Sequence, residues 1–326
     1  MDLLRSTSYF SSVRFFRCHS SPAPLRRRCF AVRSSLPFQK HEAKYYKELG
    51  AAIDAVQKAC RLCVDVKRSL VSSEGRIIEK NDQTPVTVAD FGVQALVSLE
   101  LSRLFPSIPL VAEEDSAFVR SNNLVDSVVS AVSDKASFGD EPLTDADVLE
   151  AIDRGGKDAF TFCTKPATYW VLDPIDGTRG FLRGSEALYV VGLALVVEGE
   201  IVLGVMGCPN WKDDILYRSV TEVQSSENRT FGSGIIMVSH VGRGTCLYTA
   251  ELTVTIWDKE ISLLPTCCGS LCKYMMVASG RASVFILRTK VQNSIKAWDH
   301  AVGIVCVHEA GGKVRDNSLH SLHEMP

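Results

Sequence analysis

No stretch of this chain of 326 residues is long and apolar enough to span a bilayer. The longest apolar run, Ala187 to Val197, stops at Glu198-Gly199-Glu200 and resumes as Ile201 to Met206, which is the pattern of a β-hairpin. An excess of charge is also missing. Lys and Arg (36) against Asp and Glu (38) leave a formal net charge of −2, with an isoelectric point near 6.4. That balance excludes a general nucleic-acid binder and makes any basic residue a local actor. No internal repeat is present. The 11 cysteines come without a secretory pattern, so free thiols in a reduced compartment are expected. Cys60 with Cys63, and Cys268 with Cys272, stand at helical spacing, yet no second Cys or His pair lies at zinc-finger distance. They read as small core residues, with a regulatory thiol pair as the alternative.

Acids are scarce at the N-terminus, where Asp2 is alone among the first forty residues. Arg5, Arg14, Arg17, Arg26, Arg27, Arg28 and Arg33 alternate there with serines and phenylalanines. An Arg- and Ser-rich, acid-poor start reads as an organellar transit peptide over residues 1–41, the alternative being a basic tail. The arginine density with Phe10, Phe15 and Phe16 favours the mitochondrion over the chloroplast.

What the chain does contain is a set of apolar runs that end abruptly in acids. Trp170-Val171-Leu172 reads as the end of a buried strand and runs into Asp173-Pro174-Ile175-Asp176-Gly177-Thr178. Pro174 fixes φ and removes an amide donor, so the strand ends and the chain turns. Two carboxylates on such a rigid turn suit a hard, oxygen-liganded cation, although Asp-Pro and Asp-Gly pairs are also ordinary loop residues. Leu110-Val111-Ala112 likewise ends in Glu113-Glu114-Asp115. Pro85-Val86-Thr87-Val88-Ala89-Asp90 leads into a segment with Val93, Leu96, Val97, Leu101 and Leu104 at helical spacing. Ala297-Trp298-Asp299-His300-Ala301 opens a further apolar helical run. Acids at strand exits and helix starts are where α/β folds place ligands, and bound metal would relieve the repulsion of clustered carboxylates.

This motif set, from about Tyr46 to Val314, resembles the lithium-sensitive, magnesium-dependent phosphomonoesterases related to inositol monophosphatase, and within them the 3′(2′),5′-bisphosphate nucleotidases of plant organelles. The resemblance implies a layered α-β-α-β-α sandwich, an α/β fold, with a metal-binding part over 42–206 and a substrate part over 207–326. It implies that Glu113, Asp173, the carbonyl of Ile175, Asp176 and Asp299 hold Mg²⁺, with Glu114 a weaker candidate, and that Asp90 and Thr178 activate the attacking water. Gly177 and Thr178 would meet the scissile phosphate. Ser270, Lys273 and Arg288 would meet the other phosphate, His240 the base, and Asp299 the substrate as well as metal. The implied reaction removes the 3′-phosphate of 3′-phosphoadenosine 5′-phosphate to leave AMP. The alternatives are an inositol polyphosphate 1-phosphatase and a non-catalytic form that binds nucleotide or a partner. No nucleic-acid or membrane partner is expected.

Coarse periodicity adds helices from Glu42 to Leu70, near Leu124 to Val132, from Ala146 to Asp153, from Ser270 to Ser279 and from Asp299 to Glu309. Strands are expected around Ile77, at Ile108 to Ala112, Ile215 to Arg218, Ile235 to Ser239 and Ala282 to Leu287. The polar stretch from Phe118 to Lys165 is too long for an ordinary connection and reads as functional or mobile. After Gly311-Gly312-Lys313-Val314 the chain passes directly to Arg315-Asp316-Asn317, where the family carries a further segment. That segment looks deleted, and an uncovered sheet edge with reduced stability is the expected consequence.

Overall fold

The computed structural model describes residues 38, 43–72, 78–79, 85–136, 143–156, 168–182, 187–211, 234–248, 269–287 and 296–315. In helix α1 (Tyr46–Ser72), Leu49, Ile53, Val56, Cys60 and Cys63 are all buried, as their shared face predicts. Two short antiparallel strands, β1 (Ile78–Glu79) and β2 (Pro85–Val86), lead into α2 (Val88–Leu104). This helix is buried continuously from Ala89 to Leu101, because α1, the later helices α4 and α5, and the sheet surround it. Strand β3 (Leu110–Ala112) follows, then α3 (Ser116–Ser121), α4 (Val125–Ser133) and α5 (Asp145–Gly155). The described part of the polar excursion is therefore helical scaffold. Val128, Val132, Val148 and Ile152 bury it against α2.

Strand β4 (Tyr169–Asp176) pairs in parallel with β3 and ends in the short helix α6 (Thr178–Leu182). The expected hairpin is β5 (Val190–Val197) and β6 (Glu200–Cys208). Its loop is Glu198-Gly199, with φ of 52° and 87°. Positive φ at both central residues matches the twist of the flanking strands. Strands β7 (Ile235–His240) and β8 (Gly244–Tyr248) complete one six-stranded sheet in the order β3-β4-β5-β6-β7-β8, antiparallel from β4 onward.

Helices α7 (Ser270–Ala278) and α8 (Ala301–Glu309) cover the face of the sheet opposite α1 and α2, through Leu271, Met275, Val302 and Val305. Helix α8 ends at Gly311, as its glycine pair predicts. The N–H of Gly312 donates to Val307 O at 2.8 Å and that of Gly311 to His308 O at 2.9 Å, with Gly311 at φ 88°. The mixed α/β class is as expected, and the described residues form helix, sheet and helix layers.

One expected strand is not a strand. Residues 282–287 are irregular, and Val284, Ile286 and Leu287 are 69%, 74% and 46% exposed. A strand exists only where a neighbour completes its ladder, and no described segment pairs with this one. The strand expected at Ile215 to Arg218 lies outside the described residues, as does Cys268. At the other end of the chain, Phe38 is buried against the His240 ring, 6.1 Å between centroids, so this residue packs with the folded domain. No helix among the described residues is long and apolar enough to cross a membrane.

Candidate active site

The site is built where β4 stops. In a regular strand Asp173 and Asp176, three residues apart, would face opposite sides. Pro174 interrupts the ladder, and between the pairs Asp173↔Gly192 and Asp176↔Val190 the register slips by one residue. The bulge turns both carboxylates to one place. There Asp299, one residue before the N-cap of α8, joins them, and one carboxylate oxygen from each lies within 4.8 Å of the others.

Burial raises all three. The Asp173 carboxyl is driven well above the usual range by burial, then by the charges of Asp176, Glu113, Asp299 and Asp90. Asp176 is pushed up to about 7 by burial, against the Leu271 N–H, which lowers it. Asp299 rises to about 6 through burial and the nearby Glu113. Asp173 Oδ1 is buried without a hydrogen-bond partner. An orphaned oxygen among mutually repelling carboxylates fits a divalent, oxygen-liganded cation, which supplies both the missing partner and the missing charge.

Asp176 has protein donors as well. The amides of Ser270 and Leu271, the first two of α7, donate to its two oxygens at 2.9 and 2.7 Å. A carboxylate at a helix N-terminus is favourably placed against the helix dipole. Gly269 makes the approach possible, since a Cβ there would collide with the Asp176 carboxylate.

Asp90 reaches the same region from α2. It is the third residue of the helix, and its Oδ2 accepts from the Thr87 amide at 2.8 Å and the Thr87 hydroxyl at 2.7 Å in a capping box. This leaves Oδ1 facing the hydroxyl of Thr178, at 3.2 Å. The same hydroxyl lies 3.1 Å from Ile175 O. Gly177, at φ 88°, makes the turn between strand and hydroxyl.

The remaining expected residues divide. Glu113 is exposed at the end of β3, outside the carboxylate trio but close enough to raise Asp173 and Asp299. Glu114 is buried, and its backbone amide and carbonyl are bonded to Gln94 of α2. The Lys273 ammonium donates to Gly269 O at 3.1 Å and sits over the Phe285 ring. Arg288 lies outside the described residues. His240 is a correction. Its strand position pairs with Leu203, which pairs with Leu195, which pairs with Trp170, so it lies at the end of the sheet opposite Asp176. There it is buried against Phe38 and Tyr45 and bonds Val241 O at 2.9 Å. A Ser-His pair in sequence does not reveal which end of a strand it will occupy.

Sequence reasoning missed Gln94, one turn beyond Asp90 and fully buried. Its Nε2 donates to Glu114 O at 2.7 Å and Ile152 O at 2.8 Å, while its Oε1 accepts from Glu114 N at 2.8 Å. Asp153 adds bonds from the Ser116 amide and hydroxyl at 3.0 and 2.8 Å. Helix α2 therefore presents Asp90 to Thr178 and, from the same face, clasps the Glu113-Glu114 turn. The one visible signal was a lone amide within an apolar helical run. Cys60 and Cys63 are core thiols as expected. Burial pushes Cys60 up to about 12 and Cys63 well above the usual thiol range, which leaves both unreactive.

Fold and site define a member of the inositol monophosphatase family, whose profile matches residues 45–322, and the chain belongs to that family. It is 61% identical to an Arabidopsis thaliana protein provisionally named a mitochondrial 3′(2′),5′-bisphosphate nucleotidase, over 97% of this chain and 88% of the relative. That alignment runs to 364 positions, more than the 326 residues here, so the relative has stretches with no counterpart in this chain. The chain is 36% identical to 3′,5′-bisphosphate nucleotidase 2 of the same plant, over 85% of this chain and 88% of the relative. It is 33% identical to the 3′(2′),5′-bisphosphate nucleotidase of Dictyostelium discoideum, over 81% and 84%. Among solved structures, suhB of Bartonella henselae matches with a TM-score of 0.50 at 18% identity, covering 81% of this chain and 85% of that one, a likeness of fold.

Proposed function

We propose that the chain is a Mg²⁺-dependent phosphomonoesterase that hydrolyses the 3′-phosphate of 3′-phosphoadenosine 5′-phosphate, giving AMP and inorganic phosphate. The observation that carries the reaction class is the convergence of buried Asp173 and Asp176 with half-buried Asp299, with the unpartnered oxygen of Asp173, beside the Asp90–Thr178 hydrogen bond. The substrate class is supported by the names of the relatives at 61%, 36% and 33% identity.

Asp173, Asp176 and Asp299, with the Ile175 carbonyl and Glu113, would hold the metal. When bound, the metal neutralises phosphate charge and lowers the pKa of water, as paired divalent ions do in phosphatases. Thr178 Oγ1 orients the attacking water by accepting one of its hydrogens while donating to Asp90 Oδ1. Water oxygen bonds to phosphorus, the bond from phosphorus to the ribose 3′ oxygen breaks, and the water proton passes through Thr178 to Asp90. The departing 3′ oxygen takes a proton from solvent, and Asp90 releases to solvent the one it gained. The capping box holds Asp90 in place through this exchange, since Thr87 occupies the other carboxylate oxygen. Lys273, at the start of α7, supplies positive charge for the second phosphate of the substrate. Residues 1–41 would carry address information for the mitochondrion, in keeping with their arginines and with the relative's name.

The test is phosphate release from 3′-phosphoadenosine 5′-phosphate and from an inositol bisphosphate, with Mg²⁺ and with a chelator. Release from the nucleotide that requires Mg²⁺ is expected. Preference for the inositol bisphosphate would overturn the substrate, and turnover in chelator would overturn the metal. Thr178→Ala should lower kcat by about 10²- to 10⁴-fold with Mg²⁺ binding retained.

A further inference from the structure

Asp176 and Asp299 come from distant parts of the chain, and their spacing depends on how α7 lies against α8. Asp176 is held by the first two amides of α7, and Asp299 stands beside His300, the N-cap of α8. Tyr274 joins the two helices close to both acids. It lies one turn beyond Ser270, on the same face of α7. Its hydroxyl is hydrogen-bonded to His300 Nδ1 at 3.1 Å, and the two rings meet edge to face at 5.8 Å and 81°. The phenol ring rests on the backbone of α8 at Gly303, where a Cβ would collide with it. Phe285 closes another side at 5.4 Å and 86°. Ring packing holds the helices together. The hydroxyl, bonded to the residue next to Asp299, fixes their relative register.

We propose that Tyr274 is a positioning residue: through His300 it sets the separation at which Asp176 and Asp299 can serve one divalent cation. It touches neither metal nor substrate. The inference rests on the divalent-metal reading of the site, and it matters because Mg²⁺ demands near-ideal octahedral geometry and tolerates little displacement of its ligands.

The test is a titration of the full chain with Mg²⁺ alone, without substrate, read as heat of binding below each variant's own melting transition. The variants are Tyr274→Phe, which keeps the ring, His300→Leu, which removes the acceptor, and the double variant. Each single change should weaken Mg²⁺ binding by about tenfold, the scale of one buried hydrogen bond. The double variant should be no weaker than either single, because both remove the same bond. Single variants within about twofold of the parental affinity, or losses that multiply in the double variant, would overturn the proposal. A parental chain that binds no Mg²⁺ would overturn the metal reading, and this inference with it. If Mg²⁺ binds the parental and variant chains equally, the metal reading stands and the role of Tyr274 alone fails.

Discussion

At Asp173 a buried carboxylate with one unpartnered oxygen faces two further acids, so without a cation its charge works against the fold. Removing that charge should therefore have opposite effects on activity and on metal-free stability. Asp173→Asn is expected to abolish turnover, since it deletes a hard anionic ligand. In chelator at neutral pH the same variant should melt above the parental chain, because a buried repulsive charge is gone. Near-parental turnover at saturating Mg²⁺, or a lower metal-free melting point, would contradict this account. The same electrostatics set a pH dependence. Asp176 and Asp299 start from 3.8 and are raised on folding to about 7 and about 6. Between those limits the folded state binds more protons than the unfolded state, so stability must fall as pH rises. Urea denaturation in chelator should show a decline from about pH 4 to about pH 7 that Mg²⁺ reverses. A flat profile in chelator would show that the trio is not the source of strain.

Helix α2 connects the Asp90–Thr178 hydrogen bond to the turn that carries Glu113. Asp90 sits in its first turn and Gln94 in the next, and all three of Gln94's bonds go to backbone groups of other elements. Gln94→Leu preserves bulk but removes three hydrogen bonds in a buried setting, while the Ile152 carbonyl keeps the one it accepts from the Gly156 amide at 3.0 Å. At roughly 1 kcal/mol for each lost hydrogen bond, the loss should be about 3 kcal/mol. For a domain of this size that corresponds to a melting point lower by about 6–12 °C. Calorimetry checks it, and a change below about 2 °C would mean that the turn is held by other contacts.

For the molecule as a whole, the weak point is the segment after α7. Val284, Ile286 and Leu287 are exposed within four residues, while Phe285 between them packs on Tyr274. Three exposed apolar side chains so close together form a surface that a neighbouring segment would normally cover. Covering such side chains is worth roughly 1.5–3 kcal/mol each, a large share of the ~5–15 kcal/mol by which proteins are stable. Restoring the stretches of the 61% identical relative that have no counterpart in this chain should raise the melting temperature and give residues 282–287 a ladder. Amide exchange at Phe285 and Ile286 reports the ladder directly. Identical melting and unprotected amides in the extended chain would place the covering segment elsewhere.

What the sequence by itself determined are the features that local chemistry dictates. Pro174 interrupts the β4 ladder between two acids whatever surrounds it, although the strand runs on to Asp176 instead of ending at the proline. Glu198-Gly199 makes the hairpin because its backbone twist suits the flanking strands. Thr87 and Asp90 start a helix because each satisfies the other's backbone, and Gly311 ends one because it adopts positive φ freely. Of the acids expected to gather, Asp176 closes β4 and Asp299 stands just before α8, and the structure brings both to Asp173. What only the tertiary structure decided are the relations between elements. His240 reads as a base-facing residue until strand register places it at the far end of the sheet. Residues 282–287 read as a strand, but a strand is a property of a pair, and no described segment supplies the partner. Gln94 could not be recognised, because its partners are main-chain atoms 20 and 58 positions away. The bond from Tyr274 to His300 exists only because α7 and α8 lie on the same face of one sheet. Local backbone preferences are encoded in neighbouring residues, whereas long-range hydrogen bonds and burial depend on which segments the fold brings together.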